Sequence, residues 1–339
     1  MKKSILSIIK FIVLLTVAAA LLLYALKGMD IQDIFRQIMS AKVFWVIVSG
    51  LLTVIAFVIR AYRWKLLIEP MGYSPTIKNT TYSVIFGYFA NLALPRLGEV
   101  TRCGALSKAE SIPFNKLLGT VIVERIIDLL SLLICVFLTA AIEYRRLGNF
   151  FSVRVYDPVR SKIGHILHTP MLLILFIIIL IALVSVIIYF IKKDRKKGDA
   201  SKVNKIIKGF IDGLKSIGNL KRPGLFIFHS IFIWVLYFLG VYTALFAFSF
   251  TSDLGANAAL FLLVAGGLGM SAPVQGGIGA YHLLVKEGLV LYGINEENGI
   301  TFAFMLHGLQ VILIILFGVL SMFLLFSKKN NPDSNTAIN

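Results

Sequence analysis

An all-α, polytopic membrane fold is what the sequence predicts, with about six full spans and two broken or re-entrant segments arranged as two inverted repeats. Three observations carry that prediction. The 339-residue chain is 58% hydrophobic and 15% charged, where a soluble domain carries about 25% charge, and its mean hydropathy is +0.86. The charges gather between apolar runs long enough to cross a bilayer. Two further apolar runs, one in each half, are interrupted by the same Pro-x-x-Gly pattern.

The first run, 5–26, follows Met1-Lys2-Lys3. Its roughly 22 residues, about 33 Å as a helix, are longer than a signal-peptide core and read as a retained first span, with a cleaved signal as the alternative. Ile31, Ile34, Phe35, Ile38 and Met39 then recur at helical spacing among Asp30, Asp33 and Arg36, predicting a short interfacial or covering helix. The second span is 43–67, and its Arg60, Arg63 and Trp64 read as an ordinary belt at the cytoplasmic interface. Segment 81–94 breaks at Pro95 and enters the polar run Arg96-Leu97-Gly98-Glu99. Spans follow at 114–142, 170–191 and 223–249. Segment 257–272 breaks at Pro273-Val274-Gln275-Gly276-Gly277, and the last span is 300–326. One integral membrane domain therefore covers 1–327, with halves of approximately 5–142 and 170–327 and a short polar tail, 328–339.

Proline removes a backbone hydrogen bond and glycine permits a turn, so both breaks free backbone groups that must be buried in protein or wetted by a cavity. Lys108 and Lys286 follow the two prolines at equal distance. Paired broken segments in inverted halves mark the binding sites of many transporters. Two independent Pro/Gly kinks are the simpler alternative.

Charge sets the orientation. The linker 192–222 carries eleven Lys and Arg residues, against five in loop 143–169, which puts the linker, both termini and the Arg60/Arg63 cluster on the cytoplasmic side of a cell inner membrane. Within the linker, Val203, Ile206, Ile207, Phe210, Ile211 and Leu214 form an apolar stripe among lysines, suited to anionic headgroups or to covering the bundle. The formal net charge of +17 comes from 34 Lys and Arg against 17 Asp and Glu. With no basic–aromatic module or zinc spacing beside it, that excess belongs to membrane topology and anionic lipid, not to nucleic acid. Two cysteines, Cys103 and Cys135, are too few for a disulfide scaffold.

The informative residues are charges where charge is costly. Glu124, Arg125 and Asp128 fall mid-span, each costing at least about 2.5–3.5 kcal/mol at bilayer depth, so they must meet partners or a wet cavity. They read either as an ion cluster pinning the bundle or as a polar wall for a headgroup. Arg96, Glu99 and Arg102 add charge at the nearby break. Arginine matches phosphate bidentately, so Arg96, Arg102 and Arg125 are the phosphate candidates. In the second half Gln275, Gly276, Gly277 and Tyr281 follow the break, where glycines let backbone N–H groups approach an anion or helices pack closely. His307 and Gln310 share a helix face, as ordinary hydrogen-bonded residues or as a polar or proton relay.

The run Asn91-Leu92-Ala93-Leu94-Pro95-Arg96-Leu97-Gly98-Glu99 with Arg102, and then Glu124-Arg125-Ile126-Ile127-Asp128, resembles the membrane region of lysylphosphatidylglycerol synthases. Pro273 through Gly279 with Tyr281 resembles that family's second motif. The resemblance spans essentially the whole chain. It implies a flippase-like domain that translocates an anionic, aminoacylated or otherwise modified phospholipid, or a lipid-linked headgroup. The soluble aminoacyl-transfer domain of the bifunctional relatives has no counterpart before Asn339, so the synthase reaction is not expected. An intramembrane lipid-modifying transferase and a non-transporting subunit of a lipid-synthesis enzyme are the competing readings. The sequence holds no H-E-x-x-H, no Cys/His set and no phosphate-binding G-x-x-x-x-G-K-[ST] loop, so no metal, cofactor or catalytic residue is expected. The candidate partners are a membrane lipid, a lipid-synthesis enzyme and a second copy of the chain.

Overall fold

The computed structural model describes residues 2–144, 146 and 220–327. The chain divides into two compact units, 1–139 with 219–339, and 140–218; of the second, only 140–144 and 146 are described. Predicted span 170–191, amphipathic stretch 203–214, most of loop 143–169 and of linker 192–222, and the tail lie outside the described residues.

Every regular element among the described residues is helical. In chain order these are α1 (Lys2–Ala25), α2 (Ile31–Met39), α3 (Val43–Ile68), α4 (Ile77–Ala93), α5 (Leu97–Glu110), α6 (Phe114–Ile142), α7 (Pro223–Leu245), α8 (Ala256–Ser271), α9 (Ala280–Leu291) and α10 (Glu296–Phe326). Short 3-10 turns at Glu69–Met71 and Gln275–Gly277 complete the set. Among the described residues, Val43–Met71, Pro223–Leu245 and Glu296–Phe326 are long and apolar enough to cross a bilayer, matching three of the predicted spans. α6 matches predicted span 114–142 in extent and carries its charges mid-helix. The outer faces are apolar, with Phe44, Leu51, Ile231, Leu316 and Phe323 exposed, as helices in hydrocarbon require. α2 is the predicted amphipathic helix: Asp30 caps it by accepting from the Gln32 amide, Ile34 is buried, and Ile31, Phe35 and Met39 are exposed.

Small residues allow the central helices to approach. α3 packs along α7, where the Ser49 hydroxyl donates to the Gly240 carbonyl at 2.8 Å. Removing this side-chain bulk brings backbones close, the usual device of helix pairs in lipid.

Both breaks become helical hairpins. In the first, α4 turns through Leu94-Pro95-Arg96 into α5, with Arg96 in the left-handed region at φ 64°. Asn91 Oδ1 accepts from the Gly98 amide at 2.7 Å, satisfying one of the orphan donors at the start of α5. A Cβ on Gly87 would sit 2.8 Å from the Gly98 carbonyl oxygen, so the crossing requires glycine. At the open end, Glu110 Oε1 accepts from the Thr76 amide, the Thr76 hydroxyl and the Asn79 side chain at 3.0, 2.6 and 2.7 Å. In the second hairpin, α8 runs to Ser271 and α9 starts at Ala280, with Gly276, Gly277 and Gly279 all at positive φ between them. A Cβ on Gly269 would collide with the Tyr281 backbone. The two tips come together: a Cβ on Gly276 would lie 3.1 Å from Leu92 Cδ2, near the end of α4.

Candidate functional site

The mid-span acids of α6 do not face one another alone. They receive three arginines from two other helices. Glu124, fully buried, pairs with Arg60 at 2.6 Å, Arg63 at 3.4 Å and Arg102 at 3.3 Å. Asp128 pairs with Arg60 and Arg63, each at 2.6 Å. The predicted belt at Arg60, Arg63 and Trp64 is therefore corrected: their exposures are 5%, 0% and 0%. The physical reason lies in spacing. Arg60 and Arg63 are three apart on α3, Glu124 and Asp128 four apart on α6, so each pair occupies one helix face and the two faces match. Charges that could not snorkel out of the second span found partners within the bundle.

Around this core the polar groups are shared out. Arg60 also donates to the Tyr237 hydroxyl at 3.1 Å, and Arg63 reaches Ser230 Oγ at 3.5 Å. Trp64 Nε1 donates to Thr120 Oγ1 at 2.8 Å, and the Arg102 guanidinium lies 4.8 Å from the Trp64 ring centre, a cation–π contact. Among the described residues, three guanidinium groups face two carboxylates, which leaves one positive charge in surplus. Arg102 Nε and Nη2, Arg60 Nε and Arg63 Nε are buried and have no partner among the described residues.

The other predicted residues divide. Arg125 leaves the cluster and pairs with Glu99 at 3.0 Å in a half-exposed position. Arg96 is exposed at the first tip, while Arg102 is turned into the interior, so the three phosphate candidates do not converge on one point. Gln275 is buried, with neither amide atom partnered among the described residues. Gly276 offers its carbonyl, not its N–H, to α10: His307 Nε2 lies 2.9 Å from Gly276 O. His307 Nδ1 is 3.4 Å from His282 Nε2, and His282 Nδ1 accepts from the Gly279 amide at 3.3 Å. Since a carbonyl only accepts and an amide only donates, both rings carry their proton on Nε2. The pair is a clamp joining both ends of the glycine turn to α10. Gln310, three residues on from His307, lines a cavity instead.

That cavity, about 280 Å³, lies between α3, α4, α7, α8, α9 and α10. Phe57, Leu262, Leu306 and Ile314 give it apolar walls. Arg60, Tyr88, Trp234, Tyr237 and Tyr281 supply its polar and aromatic lining. Tyr281, predicted from the second motif, is positioned by Gly266, where a Cβ would stand 2.8 Å from its ring. Arg60, Arg63, Tyr88, Trp234 and Tyr237 are the members the sequence reading missed. The one available signal was the pairing of two basic residues on one face of an apolar helix with two acidic residues on one face of another.

The profile of a family described as the lysylphosphatidylglycerol synthase TM region matches residues 8–318. A UPF0104 membrane protein, MJ1595 of Methanocaldococcus jannaschii, is 35% identical over 130 residues, which are 38% of this chain and 36% of that protein. The match thus spans about a third of that relative's length. No solved structure matches the chain.

Proposed function

Because the chain belongs to the lysylphosphatidylglycerol synthase TM-region family, we propose that it translocates a lipid with an anionic or modified headgroup across the inner membrane, opening its central cavity alternately to the two sides. The observation that carries this reading is the cavity itself. It has apolar walls for a chain and, at Arg60, one member of a buried ion cluster for a headgroup. It is bounded by helices from both halves of the chain.

Inverted repeats fit the element order. α3, the α4–α5 hairpin and α6 follow one another as do α7, the α8–α9 hairpin and α10. The displacement that carries Pro95 onto Pro273 also carries Gly98 onto Gly276 and Lys108 onto Lys286. Under this reading the hairpins are re-entrant, the termini are cytoplasmic, and rocking about the α3–α7 contact exposes the cavity to one side at a time. Arg96, exposed at the first tip, meets headgroups as they arrive.

Reconstitution tests the proposal. Proteoliposomes carrying a headgroup-labelled phosphatidylglycerol should lose inner-leaflet label to an external reductant faster than protein-free vesicles. Equal rates would refute translocation of that lipid class.

A further inference from the structure

We infer that the central cavity accommodates a single-chain lipid bearing an oxyanion head, a phosphate monoester or a carboxylate, and not a whole diacyl phospholipid. The inference deepens the proposed function and rests on the cavity being its lipid site.

Three observations converge. First, three residues lining this one space carry buried hydrogen-bonding atoms that have no partner among the described residues: Arg60 Nε, the Tyr88 hydroxyl and Trp234 Nε1. An indole N–H and a guanidinium N–H only donate, and a phenol donates readily. Leaving such groups unmet costs free energy, and water fills the role only while the cavity is empty of ligand. An occupant that carries acceptor oxygens offers these donors, which sit just behind the lining, the partners they lack. A hydroxyl or an ammonium head would not serve the donor-only groups as well, because an ionised acceptor makes the shorter and stronger bond.

Second, the charge balance asks for an anion. Arg60 touches the cavity and belongs to the cluster in which, among the described residues, Arg60, Arg63 and Arg102 face two carboxylates, Glu124 and Asp128. The neighbouring Arg125–Glu99 pair is neutral and leaves the surplus unchanged. One oxyanion beside Arg60 neutralises it in a setting where an uncompensated charge is costly.

Third, the size and walls set the tail. A volume of about 280 Å³ falls just below the usual range of small-ligand pockets, about 300–1,000 Å³, so a glycerol with two acyl chains cannot be held whole within it. The remaining lining is largely aliphatic and aromatic: Phe57, Leu236, Val241, Leu262, Leu263 and Leu306. Tyr88 and Arg60 come from the first half and Trp234 from the second, so an occupant bridges both.

The test uses the full chain in nanodiscs of phosphatidylcholine, with radiolabelled dodecyl phosphate and dodecanoate as probes. Inorganic phosphate and diacyl phosphatidylglycerol serve as competitors. The expected result is saturable binding of one molecule per chain by at least one single-chain probe. Trp234→Phe and Tyr88→Phe, which each remove one polar group and keep the ring, should each weaken it about tenfold, the loss of one hydrogen bond to a charged group. Preference between the two probes identifies the head as phosphate or carboxylate. Inorganic phosphate should compete poorly, since it leaves the apolar walls unfilled. Absence of saturable binding would overturn the inference, as would binding untouched by both substitutions. Competition by diacyl phosphatidylglycerol at equal affinity would also overturn it, while leaving the translocation proposal intact. Single-chain binding with no lipid movement in proteoliposomes would do the reverse.

Discussion

The two halves of the described bundle follow one order of elements, a long helix, a hairpin and a long helix, with different chemistry. Carry the first half forward by the step that takes Pro95 to Pro273, and Arg102 falls on Ala280, Glu124 on Phe302, Arg125 on Ala303 and Asp128 on Leu306. Arg63 falls on Val241. Phe302, Ala303, Leu306 and Val241 all belong to one buried apolar core, while their counterparts in the first half, Arg125 apart, form the ion cluster. At these positions the second half packs apolar side chains, and its polar contacts lie elsewhere, in the His282–His307 pair and in Lys286, which reaches Glu296 at 3.0 Å. Replacing a buried ion cluster with apolar residues of similar volume is often neutral or stabilising. The first half thus keeps buried charges at positions where the second packs apolar side chains, and the proposed headgroup role gives those charges a purpose beyond packing.

The largest test of that contrast is Asp128→Asn. It keeps size and leaves Arg60 and Arg63 under-neutralised, so stability should fall by about 3–5 kcal/mol. Phe302→Leu, in the matching region, should cost much less, about 1–2 kcal/mol. Thermal unfolding in detergent measures both; equal losses would dissolve the distinction between the halves. A smaller effect is expected in the second half's own polar device. His307→Phe leaves the Gly276 carbonyl and the His282 ring nitrogen unmet, costing about 1–3 kcal/mol, and should loosen the glycine turn. A cysteine at Ile278, exposed at that turn, should then react faster with a thiol reagent once Cys103 and Cys135 are replaced; an unchanged rate would show that the clamp does not hold the turn. Smallest of all is Arg125→Gln. Its pair with Glu99 is half-exposed, and such pairs contribute about 0–1 kcal/mol, so the melting temperature should barely move. A loss as large as that of Asp128→Asn would place Arg125 within the cluster.

How much of this was legible follows from the physics of each feature. Spans at 43–67, 223–249 and 300–326 could be read because hydropathy depends on composition alone. The hairpins could be read because Pro95 and Pro273 forbid a continuous helix there. Glu124 and Asp128 announced themselves by cost: a carboxylate inside an apolar helix needs a partner. Which partner was not legible. Arg60 and Arg63 lie near the end of a span, where the interfacial reading is the usual one, and only the packing of α3 and α6 faces decides against it. The cavity was illegible for the same reason. Tyr88, Trp234 and Tyr237 sit on apolar helices where aromatic residues are ordinary, and their convergence is a property of three-dimensional packing. Arg125 shows the opposite error. It is adjacent in sequence to Glu124, yet one residue turns a helical side chain by about 100°, which aims it at Glu99 instead.

Filling the cavity tests the account most directly. Thr53 lines it from α3, and Thr53→Trp would occupy the space without replacing any member of the ion cluster. In proteoliposomes, the unaltered protein should speed exchange of headgroup-labelled lipid between leaflets, and Thr53→Trp, inserted at equal density, should return the rate to that of protein-free vesicles. Lipid exchange at the unaltered rate with the cavity filled would contradict a route through this bundle.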